Sequence, residues 1–148
     1  MSDQKMNRSS VILMVDDNPT DAMLVKEAFA CSDENTEVFV AEDGVFALEF
    51  LRKQGPYLQV PRPDIILLDL NMPRKNGIEF LAEMKADLDL RIIPVIIYTA
   101  SATDQDIKSA FQNYANGYIR KSANFDECIG IAKSISDFWF STSILCKP

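Results

Sequence analysis

At 148 residues the chain is long enough for one domain with a buried core and leaves little for a second. Hydrophobic residues make up 47% and charged residues 25%, the balance of a globular protein and not of a disordered or fibrous one. A net charge of -7 without any basic cluster excludes a phosphate-backbone binder, so no nucleic-acid partner is expected.

The chain opens on "MSDQKMNRSS", which lacks the apolar core of a signal peptide; residues 1–9 are expected to form a flexible tail before a single domain over residues 10–148. No apolar run approaches the roughly 18 residues that span a bilayer, so no membrane partner is expected and the cytoplasm is the expected location. "VILMV", Val11 to Val15, is a short continuous apolar run ending in Asp16-Asp17, the pattern of a buried parallel strand. Asn18 then suits a helix N-cap and Pro19 the first helical position, with Leu24, Val25, Ala28 and Phe29 as the apolar stripe. "EVFVA", Glu37 to Ala41, is a second strand, and Gly44 to about Gln54 a second helix that stops at Gly55-Pro56. The two prolines in "YLQVPRP" make Tyr57 to Pro63 a loop.

"IILL", Ile65 to Leu68, reads as a strand buried on both faces, yet it ends on the carboxylate of Asp69. Ile78 to about Ala86 is a third helix, "PVIIYT" (Pro94 to Thr99) a fourth strand, and Thr103 to about Tyr114 a fourth helix. "GYIRK", Gly117 to Lys121, is a short fifth strand, followed by a last helix from Asn124 to about Ser143. Strict alternation of strand and helix predicts an α/β fold: a doubly wound, five-stranded parallel sheet, flavodoxin-like with order 2-1-3-4-5, and helices on both faces.

In such sheets ligands bind beyond the carboxyl ends of the strands. Asp16 and Asp17 end strand one, Asp69 strand three, Thr99 strand four and Lys121 strand five. Each alone has an ordinary explanation as a cap, turn former or solvated charge. Together they bring three mutually repelling carboxylates into one place, which demands a cation. Lys121 supplies one charge, and an all-oxygen site of this kind suits Mg²⁺. A carboxylate nucleophile at Asp69, a lysine, a hydroxyl at Thr99 and the small Ala100 beside it make an arrangement for phosphoryl transfer. Histidine is absent, which removes Ser-His and Cys-His triads and the usual zinc ligand sets. Cys31, Cys128 and Cys146 lack CxxC spacing and are read as reduced thiols, two of them packing groups.

"VDDNPTD", "IILLDLNMPRKNG", "YTA" and "GYIRK" occur in an order and spacing that resembles the receiver domain of two-component response regulators, from about Ser10 to Trp139. The resemblance implies that Asp69 is the phosphoacceptor and that Asp16 and Asp17, with the backbone carbonyl of Asn71, hold Mg²⁺ beside it. It implies that Lys121 and Thr99 contact the phosphoryl group and that Thr99 and Tyr118 form the switch. Receivers usually carry proline after the lysine, often with a cis bond; here Ser122 follows, and a trans bond is expected because a non-proline cis bond costs about 2.5–4 kcal/mol. "KSANF" and "SISDFWFSTS" are similar to a narrower group, the small regulators paired with phytochrome-type histidine kinases.

Three rivals fail on chemistry. A haloacid-dehalogenase phosphatase needs an acid where Asn71 stands, a flavodoxin needs a hydroxyl-rich phosphate loop where Asp16-Asp17 stand, and a P-loop NTPase needs GxxxxGK[ST]. A phosphorylation-independent interaction module on the same scaffold is the remaining alternative. On the last helix, Phe125, Ile129, Ala132 and Trp139 fall on one face suited to the sheet, and Ile131, Ile135 and Phe138 form a second stripe, read as the interface of a homodimer.

Overall fold

The computed structural model describes residues 9–33 and 35–147, so most of the expected tail lies outside the described residues. Strands β1 (Ser10–Val15), β2 (Thr36–Ala41), β3 (Ile65–Leu68), β4 (Val95–Thr99) and β5 (Gly117–Arg120) form one sheet in the order β2-β1-β3-β4-β5. Every pairing is parallel, with Val15 opposite Ala41 and Leu68, and Thr99 opposite Arg120. Helices α1 (Pro19–Ser32), α2 (Gly44–Leu51), α3 (Gly77–Ala86), α4 (Asp104–Gln112) and α5 (Phe125–Ile135) cover both faces.

Side chains alternate across the pleat, so each central strand feeds two cores. Leu13, Val15, Ile66, Leu68 and Ile97 pack with α2, α3 and α4 around Phe80, Leu81 and Met84. Ile12, Met14, Ile65, Leu67 and Tyr98 pack with α1 and α5 around Phe29, Cys128 and Ala132. Full burial of each large aliphatic group contributes about 1.5–3 kcal/mol, which is why the strands read as unbroken apolar runs. Caps set the helix starts: Asn18 accepts from Thr20 and Asp21 N–H, Asp43 from Val45 and Phe46 N–H, and Asn76 and Glu79 form a reciprocal capping box.

The last helix differs from expectation. Its α-helical part ends at Ile135, and Ser136–Thr142 continues as a wider π-helical turn closed by Ser143 N–H donating to Phe138 O at 2.6 Å. The extra residue per turn rotates Trp139 and Phe140 back against the α1-side core, while Phe138 stands edge-on to Trp139 and is 50% exposed. Ile135 is 4% exposed and lies in the core shared with α1, so it presents no surface to a second copy; Ile131 is half-buried against the same core. The expected stripe Ile131, Ile135, Phe138 is corrected at Ile135, which α1 covers where it packs beside α5, while Ile131 stays half-buried and Phe138 exposed. Cys128 is buried but Cys31 and Cys146 are exposed, so one cysteine packs where two were expected. No cis peptide bond occurs among the described residues, so the Lys121–Ser122 bond is trans as anticipated. Among the described residues no helix is long and apolar enough to cross a membrane.

Candidate functional site

The strand ends converge at the carboxyl edge of β1, β3, β4 and β5. Asp69 is 6% exposed and enters the site because its N–H still donates to Val15 O at 2.9 Å, which holds the strand end beside Asp16. Thr99 is fully buried and its hydroxyl donates to Asp69 Oδ1 at 2.8 Å. Lys121 lies one residue past β5, its N–H donating to Thr99 O at 2.8 Å, and its ammonium lies 3.3 Å from Asp69 Oδ2. The two oxygens of Asp69 are therefore met by a hydroxyl on one side and an ammonium on the other.

Asp16 is 2% exposed and accepts from Asn18 N–H at 2.9 Å through Oδ1. Its Oδ2 lies 2.8 Å from Lys121 Nζ as an ion pair but accepts no well-directed hydrogen bond. Burial pushes the Asp16 carboxyl above its ordinary value, against the lowering effect of Lys121, and Asp69 pushes the same way as burial. For Lys121 burial pulls downward, but the ion pairs with Asp16 and Asp21 outweigh it and raise the ammonium above its ordinary value.

Asp16, Asp17 and Asp69 offer oxygens that all lie within 4.8 Å of one another, with Asp17 exposed at the rim. Three hard oxygen donors, one of them buried with an unsatisfied lone pair, fit a divalent cation; the residues present match the group that the strand-end acids require. Asn71 is exposed, its N–H 3.5 Å from Asp69 Oδ1. Ala100 is exposed next to Thr99, and Tyr118 is half-buried on β5 with its hydroxyl donating to Ser101 O at 2.7 Å. All the residues expected at the site except the helix-α5 stripe thus gather at one edge of the sheet.

Two features escape the sequence. Asp21, in the first turn of α1, accepts from Lys121 Nζ at 2.8 Å; its place in the first turn of the helix that Asn18 caps, directly after the strand-end acids, was the available signal. Asp43 and Arg74 pair across 31 residues, which no local pattern encodes.

Residues 12–133 match the family model described as response regulator receiver domain. The chain belongs to that family. Response regulator Rcp1 of Synechocystis sp. is 40% identical over 145 residues, 98% of each chain. The crystal structure of the phosphorylated cyanobacterial phytochrome response regulator RcpA superposes with a TM-score of 0.87 at 42% identity, covering 94% of this chain and 99% of that one. The Mn²⁺-bound form of Rcp1 superposes with a TM-score of 0.84 at 39% identity, covering 93% and 99%. This receiver is a two-component response regulator, and its acidic cluster can bind a divalent metal. An interaction module independent of phosphorylation is not favoured in a receiver that carries the acidic set, the hydroxyl and the lysine in contact.

Proposed function

We propose that Asp69 accepts a phosphoryl group from the phosphohistidine of a phytochrome-type histidine kinase, with Mg²⁺ as the cation, and signals through protein contacts. The observation that carries this reading is the convergence of Thr99 and Lys121 on the two oxygens of Asp69, beside a buried Asp16 oxygen without a directed donor. One Asp69 oxygen attacks phosphorus, the phosphorus–nitrogen bond of the phosphohistidine breaks, and the imidazole leaves with its electron pair and takes a proton from water. Mg²⁺ held by Asp16, Asp17, Asp69 and the Asn71 backbone carbonyl would supply positive charge against the phosphoryl oxygens. Lys121 neutralises a second part of that charge, and Thr99 is free to turn its hydroxyl from Asp69 to a phosphoryl oxygen, with Ala100 leaving room.

The same groups position water for hydrolysis, so the protein catalyses its own phosphorylation and dephosphorylation without turning over an external substrate. Movement of Thr99 is relayed by Tyr118, whose hydroxyl is tied to Ser101 two residues beyond Thr99. Support for the donor class comes from RcpA, described as a cyanobacterial phytochrome response regulator. We place the reaction in the cytoplasm, and propose self-association through α4, β5 and α5 with Phe138 as the exposed apolar contact. Phosphotransfer from phytochrome histidine kinases, with and without Mg²⁺, tests the reading: label should appear on the wild type only with the cation, and equal label without it overturns the role of the metal.

A further inference from the structure

Asp43 is a buried carboxylate outside the reaction site, on the turn between β2 and α2. It spends one oxygen capping α2, through Val45 and Phe46 N–H, and both oxygens on Arg74: Nε at 2.7 Å from Oδ2 and a terminal guanidinium nitrogen at 3.2 Å from Oδ1. Arg74 sits in the loop between Asp69 and α3, with φ of 62°, in the left-handed region that non-glycine residues seldom adopt. Its guanidinium also stacks over the Phe46 ring, 4.6 Å from the centroid. Beside it Gly44 N–H donates to Lys75 O at 3.1 Å, an approach so close that a Cβ on Gly44 would stand 2.8 Å from that oxygen.

The loop is thus fixed at two places. At its base Gly77 N–H donates to Leu70 O at 3.0 Å; at its tip Arg74 and Lys75 are held by Asp43 and Gly44. Asn71 lies between these anchors, directly after the strand end that carries Asp69. A bidentate pair costs more to bury than a capping hydroxyl or amide would, and capping alone does not call for an arginine.

We propose that Asp43 and Arg74 are positioning residues for the cation site: the clamp sets the path of the loop and so aims the Asn71 carbonyl and the Asp69 carboxylate at the metal. The inference rests on the functional reading above, and groups that orient metal ligands from behind have effects of this kind. The test is calorimetric titration of Mg²⁺ and Mn²⁺ into the wild type, Arg74→Gln, Asp43→Asn and the double variant, with thermal unfolding of each followed in parallel. Asn keeps the α2 cap, and the Arg74 side chain is half exposed, so at least Arg74→Gln folds.

Each single variant should bind the cation about tenfold more weakly while unfolding cooperatively, and the double variant about tenfold and not a hundredfold more weakly, because the two act as one unit. Lowered melting temperatures with cation affinity within about twofold of the wild type would make the pair structural only and overturn the proposal, as would additive losses in the double variant. A wild type that binds neither cation instead overturns the functional reading, and is distinguished by appearing before any substitution is made.

Discussion

Tyr98 shows how a single buried group shapes the response to pH. Burial in the α1-side core, with Cys128 beside its hydroxyl at 3.8 Å, pushes the phenol up from 10.0 to about 12. Between those values the unfolded chain loses the phenolic proton while the native chain keeps it, so stability falls as pH rises through that window. Lys121 acts in the same direction: its contribution is fully present below the ordinary lysine value and is lost as pH rises through its raised one. Tyr98→Phe should therefore flatten part of the alkaline fall in denaturant midpoint, leaving the lysine part; an unchanged alkaline limb would contradict the burial of that hydroxyl. Lys121→Gln should remove the lysine part of that fall and lower stability at neutral pH as well, because it leaves Asp16, Asp21 and Asp69 facing one another without the ammonium that joins them.

At the level of elements, the β3–α3 loop and the start of α2 form one unit. Asp43 has its carboxyl held below the ordinary value: burial opposes this, but the Arg74 guanidinium and the Phe46 and Val45 N–H groups prevail. The stability it contributes is present above the ordinary carboxylate range and is lost as pH falls through its lowered value. The wild type should exceed Asp43→Asn in stability at neutral pH, with the difference vanishing in acid, which urea titrations at several pH values will read. Gly77 is the other fixed point. A Cβ there would stand 2.3 Å from Asp69 O and 2.6 Å from Leu70 Cα, so Gly77→Ala forces the backbone beside the acceptor to shift, at a cost of about 1–3 kcal/mol.

These elements also mark the limit of what a sequence reveals. The strands were legible because burial on both faces makes "VILMV", "IILL" and "PVIIYT" unbroken apolar runs, and the site because strand-end polar residues are local to those runs. The Asp43–Arg74 pair was not, since contact across 31 residues depends on the finished fold. Ile135 was misplaced for a similar reason: a helical wheel at fixed pitch knows neither that α1 lies alongside α5 nor that the helix widens after Ile135.

For the whole molecule, the sheet divides the work. Its carboxyl edge carries the acidic cluster, while exposed Phe111 lies on α4, Tyr114 just after it and Phe138 in the π turn that follows α5. Burying Phe138 between two copies would contribute about 1.5–3 kcal/mol, enough to matter to a weak dimer. Sedimentation should find self-association that Phe138→Glu weakens; a wild type monomeric at all concentrations contradicts this. Lys147 pairs with Asp64 at 2.7 Å at the opposite end of the sheet from the acidic cluster.

The acceptor itself is tested most directly by the mass of the intact protein after incubation with Mg²⁺ and a phosphohistidine donor. The wild type should gain a single phosphoryl group and Asp69→Asn none. An Asp69→Asn protein that gains the same group to the same extent would contradict the assignment of Asp69 as the acceptor.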